Sequence, residues 1–229
     1  MSGAGVDPEL RATAARLVGR PDRAAEAPAI RIVTALAGHE LRLAATRGES
    51  VLVTFAIPLV VLVFFSTVDV LPRGAGRPVD GLLPGSIALA IIASALVALA
   101  IGLAYERAYG VLKRLAGTPA TPGHQVVARV LALLVILAAQ VALLVAVAAG
   151  VLGWTAGPAA SPPLLAAAIV LGTAVHASLG VLIAGTLRAE TTLAVANGLF
   201  LAALLLGDAV VPLERLPAAL AGLAGVLPF

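Results

Sequence analysis

From residue 51 onward, apolar residues come in long, nearly uninterrupted runs, and polar residues are confined to the short intervals between them. A helix crosses the hydrocarbon core of a bilayer with about 20 such residues. Five stretches reach that length: residues 51–70, 84–104, 126–150, 163–187 and 191–211. A further apolar piece, residues 216–229, is too short to cross and is bounded by Pro217 and Pro228, so it reads as a re-entrant or interfacial segment. The pattern therefore predicts an all-α polytopic membrane protein with five transmembrane helices. Pro58 lies inside the first of them and is expected to kink it, unless a neighbouring group supplies a donor to the carbonyl that proline leaves free.

Two polar intervals carry a helical pattern of their own. Over residues 29–50, Ile32, Leu36 and Leu43 form one stripe, with Arg31, Arg42 and Glu49 along its flank, as in a helix lying in the membrane interface. Over residues 105–119, Tyr105, Ala108, Tyr109, Leu112 and Ala116 share one face at 3.6-residue spacing, and Glu106, Arg107, Gly110, Lys113 and Arg114 share the other. Gly117 and Pro119 end this second helix, and Pro122 with Gly123 turns the chain back towards the membrane. Two readings of it stay open: a basic anchor on lipid headgroups, or a docking surface for a soluble partner. Residues 1–28 have no apolar run of the signal-peptide kind and read as a tail containing a short surface helix, with Asp7 as its cap and Pro8 in its first turn.

Composition agrees with the pattern: 61% of the chain is hydrophobic and 12% charged, against about 25% charged in soluble proteins. The net charge is only +3, which makes nucleic acid an unsuitable partner. Of the fifteen basic residues, seven precede residue 50, four lie between Arg107 and Arg129, and one is Arg188. Arg73, Arg77 and Arg215 are left on the opposite side, so the positive-inside rule puts the N-terminus and residues 105–125 in the cytoplasm. Arg129, near the start of the third span, is expected to snorkel to that interface.

The absence of cysteine excludes thiol chemistry and disulfides. The single lysine, Lys113, follows Leu112 and not glycine, so the chain contains no G-x-x-x-x-G-K-[ST] phosphate-binding loop. Any ATP hydrolysis, with its magnesium, belongs to a separate subunit, and the chain itself is not expected to be an enzyme or to bind a cofactor. The histidines, His39, His124 and His176, sit on separate segments, which argues against a metal site. Gln140, His176 and Asn197 are polar groups within the spans, candidates either for bundle packing or for lining a pathway. Asp208 lies near the outer end of the fifth span. A membrane enzyme using His176 and Asp208 lacks any recognisable catalytic motif.

Two stretches resemble the permease subunits of ABC-2 type transporters, the group that includes daunorubicin-resistance exporters of bacteria. One is "ELRLAATRGESVLVTFAIPLVVLVFFS", residues 40–66. The other is "YERAYGVLKRLAGTPATPGHQVVARVLA", residues 105–132, where Glu106, Arg107, Gly110, Arg114, Leu115, Thr118 and Pro119 stand in the family's pattern. The later "GDAVVPLERLPAALAGLAGVLP" is similar to the family's external hairpin. The resemblance spans residues 30–229. It implies a bacterial plasma (inner) membrane protein in which residues 105–119 form a coupling helix received by a cytoplasmic ABC ATPase. Tyr105, Glu106, Arg107, Tyr109, Gly110, Lys113, Arg114, Thr118 and Pro119 are then the coupling residues. It also implies a second permease, a copy or a paralogue, and export of a drug or lipid. The family has six spans, so the chain is expected to be truncated before the sixth. The alternatives are a non-transporting membrane scaffold, or a permease for another cargo such as polysaccharide or haem.

Overall fold

The structure is a computed structural model and describes residues 28–46, 48–68, 77–115, 120–157 and 160–207. The tail over residues 1–27, Arg73, Thr118, Pro119, Asp208, Arg215 and the expected re-entrant segment lie outside the described residues. Every regular element among the described residues is a helix: α1 (Ala29–Thr46), α2 (Gly48–Thr67), α3 (Pro78–Ile91), a π-helical turn (Ile92–Ala98), α4 (Leu99–Ala108), α5 (Val111–Leu115), α6 (Pro122–Gly150), α7 (Pro162–Thr186) and α8 (Ala189–Leu206).

The helices fall close to the expected positions, with one large difference. The second expected span, residues 84–104, is part of an unbroken helix from Pro78 to Ala108 made of α3, the π turn and α4. Its 31 residues measure about 46 Å at 1.5 Å per residue, well beyond an ~30 Å hydrocarbon core. Pro84, which the sequence suggests as a boundary, is accommodated inside it: the carbonyl it releases is that of Asp80, at the exposed helix start. This rod is the centre of the bundle, with 61% of its apolar stretch buried against 28% for α6 and 22% for α7. These three helices are long and apolar enough to cross a membrane, whereas the apolar parts of the other two are shorter, Thr54–Thr67 in α2 and Ala189–Leu205 in α8.

Between helices in lipid the hydrophobic effect gives little, so close approach and polar links set the geometry. Gly180 of α7 lies directly against the π turn: a Cβ there would stand 3.1 Å from the Leu96 carbonyl oxygen and 3.2 Å from that of Ala95. Gln140 of α6 is fully buried and donates from Nε2 to the Thr54 carbonyl oxygen of α2 at 2.9 Å. Thr54 is the residue four before Pro58, the carbonyl deprived of its helical N–H donor by the proline. The amide of one helix thus replaces the hydrogen bond that proline removes from another, as the position of Pro58 demands.

This pairing gives a double-mutant prediction. Gln140→Leu is expected to destabilise the native bundle by about 1 kcal/mol, in the range of measured interhelical hydrogen bonds. In a Pro58→Ala background, where the backbone N–H is restored, the same substitution should cost less than half as much. Unfolding equilibria of the four proteins in mixed micelles measure the difference, and equal costs in both backgrounds would contradict the pairing.

Candidate functional site

Two charged residues, Glu106 and Arg107, stand at the C-terminal end of the central rod. Arg129 sits two turns into α6 on the same face as buried Ala128 and Ala132, so its guanidinium is directed into the bundle. Its Nη2 donates to Glu106 Oε2 of α4, and its Nε lies 3.3 Å from Glu40 Oε1 of α1. Side-chain exposure is 12% for Arg129, 25% for Glu106 and 29% for Glu40, which makes this a partly desolvated triad and not a surface pair. One cation thereby joins three helices. A cavity of about 160 Å³ beside it, walled by Leu43, Gly102 and Ala132, leaves room for water next to the charges.

The triad corrects two expectations. Arg129 does not snorkel away from the bundle but is held inside it by two carboxylates. Glu106 turns inward to Arg129 and leaves the outward charged face assigned to it. Glu40 was missed as a site residue, although the sequence carried a signal: it lies four residues after Leu36, on the stripe with Val33 and Leu43 that packs inward. An acid within an apolar stripe calls for a buried partner.

The expected amphipathic helix over residues 105–119 is also corrected. Tyr105–Ala108 is the last turn of α4, the chain breaks at Tyr109 and Gly110, and α5 restarts at Val111. Gly110 has φ +73°, a left-handed conformation that suits glycine and stops the helix. The single charged face is therefore split three ways. Glu106 faces α6, Arg107 donates to the Gly185 and Leu187 carbonyl oxygens at the C-terminal end of α7, and Lys113 stands exposed beyond the break. Arg107 thus satisfies carbonyls that a helix end leaves open. Tyr105 and Tyr109 stack at 5.9 Å between ring centres, with Tyr109 72% exposed. The Arg114 side chain lies outside the described residues. At the start of α6, Thr121 and His124 form a reciprocal cap, each side chain accepting from the other's backbone N–H at 3.3 Å, with Pro122 in the first turn.

A family model described as ABC-2 type transporter matches residues 33–229. The chain belongs to the ABC-2 type transporter family. No curated protein and no solved structure matches it. This ABC-2 membrane domain is accordingly a permease component of an ABC transporter, a part that serves transport and is not a catalytic domain.

At the other end of the ABC-2 bundle, Arg77 ties α3 to the chain after α6, donating from Nη1 to the Gly153 carbonyl oxygen and from Nη2 to Thr155 Oγ1 at 3.2 Å. The intramembrane candidates are not gathered into one place. Gln140 spans α6 to α2 as described. His176, 8% exposed, points Nδ1 at the Gly172 carbonyl oxygen of its own helix, 2.8 Å away. Asn197 is exposed on α8 and donates to its own helix at Leu193, 2.9 Å away. Among the described residues, no group of three or more His, Asp or Glu could hold a metal ion.

Loss of one partner from a fully buried ion pair costs about 3–5 kcal/mol, and the exposure of this triad reduces that. Arg129→Gln is expected to lower stability by about 1–3 kcal/mol. Glu40→Gln should cost less, because Glu106 keeps its cation. Double-mutant cycles on unfolding in mixed micelles read both couplings, and the Arg129–Glu106 term should be the larger. A zero coupling for both pairs would contradict the triad.

Proposed function

We propose that this ABC-2 permease serves an ATP-driven exporter, with the break and short helix over Tyr109–Leu115 as the contact for a separate cytoplasmic ABC ATPase that binds ATP and magnesium. The observation that carries the reading is the Glu40–Arg129–Glu106 triad, which fastens α1, α4 and α6 together beside that contact. A load applied at α5 then reaches the central rod through α4, reaches α6 and α1 through the ion pairs, and reaches α7 through Arg107. The distribution of basic residues supports a cytoplasmic N-terminus and a cytoplasmic triad, in a bacterial inner membrane. A second permease, identical or paralogous, completes the pathway. ATP-driven closure of the ATPases pushes on this end and tilts the rod, shifting the cargo cavity between inward and outward access. The apolar walls of the bundle favour a hydrophobic or amphiphilic cargo, a drug or a lipid.

The inward turn of Glu106 decides which substitutions test docking. Lys113 and Tyr109 are exposed and outside the triad, so they report the partner surface. Glu106 reports internal transmission. In a detergent pull-down with the candidate ATPase, Lys113→Glu with Tyr109→Ala should reduce retention at least about tenfold, equivalent to 1.4 kcal/mol, with the permease still folded. Glu106→Gln should retain the ATPase but lose most cargo-stimulated hydrolysis. Undiminished retention by the Lys113 and Tyr109 double variant would remove α5 as the contact, and failure of the wild type to retain any ATPase would sink the exporter reading.

A further inference from the structure

The central rod is fastened at both ends and irregular in between. At its start Arg77 donates to the Gly153 carbonyl oxygen and to Thr155, both on the chain that follows α6. In its last turn Glu106 pairs with Arg129 of α6, and Arg107 donates to the Gly185 and Leu187 carbonyl oxygens at the end of α7. Between these fastenings the seven residues Ile92–Ala98 form the π turn. A π-helical bond closes from residue i to i+5, so the turn holds more residues than an α-helix winding through the same angle.

The backbone around the turn shows where the extra length goes. The Leu99 N–H, which an unbroken α-helix gives to the Ala95 carbonyl, goes to Leu96 instead. The carbonyl oxygens of Ala95 and Leu96 are the two that lie nearest Gly180 of α7, where an added Cβ would stand 3.2 and 3.1 Å from them. Glycine thus lets the α7 backbone sit against the displaced carbonyls.

The two charged residues at the end of the rod depend on this register. Neighbours on an α-helix point about 100° apart, and Glu106 and Arg107 use that angle to meet α6 and α7. Closing the π turn to an α-helix winds the chain further, so α4 turns forward by about one residue relative to α3. Glu106 then points where Arg107 did, an acceptor against carbonyl oxygens that also only accept. Tyr105 takes the place of Glu106 before Arg129. Both fastenings are lost in the α register, so together they select the π turn.

We propose that the π turn is a register switch, held open by the Glu106 and Arg107 fastenings while Arg77 holds the other end of the rod. Opening those two fastenings lets Ile92–Ala98 close to an α-helix and turns α4 against α3 by about 100°. That an ATPase opens them during transport rests on the permease reading, while the switch itself does not.

The test uses the full chain in phosphatidylcholine nanodiscs without ATPase. The chain has no cysteine, so nitroxide labels attach only at introduced ones. Ala108 of α4, Val127 of α6 and Leu182 of α7 are exposed. Labels on Ala108→Cys with Val127→Cys, and on Ala108→Cys with Leu182→Cys, read the rotation of α4 by electron-spin distances. A side chain ~5–6 Å from the helix axis moves by about 8 Å on such a turn. Glu106→Ala with Arg107→Ala should therefore shorten the 108–127 separation and lengthen the 108–182 separation, each by at least about 3 Å. Arg107→Ala alone, the milder change, serves the same comparison if the double variant does not stay folded. A rod lacking Ala98 has no residue to release. In it the same substitutions should move neither separation by more than about 1 Å.

Ala88 provides the matched deletion. It is also an exposed alanine on the rod, but its removal turns Leu89, Ala90 and Ile91 off their buried faces. Deleting Ala98 should lower the unfolding midpoint in mixed micelles less than half as much as deleting Ala88. Equal movement of the labels with and without Ala98, no movement in either, or equal cost of the two deletions overturns the switch. The pull-down reads binding at α5, whereas the labels read α4 with no partner present, so ATPase docking and the switch stand or fall separately.

Discussion

A guanidinium at the foot of an apolar helix has to be paired, and that requirement organises one end of this bundle. Arg129 draws a carboxylate from α1 and another from α4, two helices with no chain connection between them at that point. Without the triad, α1 would be held to α6 chiefly by its apolar stripe around Val33, and the one polar link described between α4 and α6 would be lost. An amphipathic helix in the interface is free to slide and rotate on lipid. The ion pair to Glu40 fixes its position along α6. Two carboxylates around one cation leave the site with an excess negative charge, which the adjoining water-sized space makes tolerable.

The rest of the bundle uses the same economy, with few polar links and each at a place where backbone geometry creates a need. Pro58 opens a carbonyl and Gln140 answers it. The C-terminal end of α7 leaves carbonyls open and Arg107 answers those. The turn after α6, with Gly153 at φ +68°, presents a carbonyl that Arg77 takes up. Each link joins elements distant in sequence, and an unpaired backbone group in hydrocarbon costs several kcal/mol. These three polar side chains thus answer breaks in helical hydrogen bonding. Small residues do the remaining work: at Gly180 the α7 backbone approaches the π turn to a distance that a side chain would obstruct.

Helix positions were legible because apolar run length is a local property. The third and fourth expected spans, 126–150 and 163–187, differ from Pro122–Gly150 and Pro162–Thr186 by no more than a capped turn. The need for a donor near Pro58 was legible for the same reason, although its source in Gln140 was not. Tertiary pairing was hidden. A helical wheel drawn over residues 105–119 assumes an unbroken helix, and Gly110 breaks it, so residues on one side of the wheel end up in three different settings: against α6, against α7, and exposed. Arg129 three residues into an apolar run is compatible with snorkelling or with a buried partner, and only the placement of Glu40 and Glu106 decides between them. Coupling residues Thr118 and Pro119 fall outside the described residues, and so does the Arg114 side chain.

The central rod runs from the Arg77 end of the bundle to the proposed ATPase contact. Its first half lines an apolar cavity of about 710 Å³ with Leu83, Ile87 and Ile91, and its last turn supplies Glu106 and Arg107 to the end where the ATPase contact is proposed. Between them lies the π turn, Ile92–Ala98, a hydrogen-bonding register less favourable than the α-helix and commonly found where a helix serves function. A uniform α-helix would carry a push along its axis as a rigid rod. A π turn can absorb or release one residue of register, so the two halves need an outside brace to move together. Gly180 provides it by seating α7 on the carbonyls of the π turn, and His176 stands one helical turn away on the same helix. Under the proposed mechanism, force entering at α5 and Arg107 therefore reaches the Arg77 end of the bundle by two helices that touch at the π turn. Coupling of this kind needs an element with two arrangements that both ends bias, and the π turn against Gly180 is the part of the described structure with the geometry to be that element.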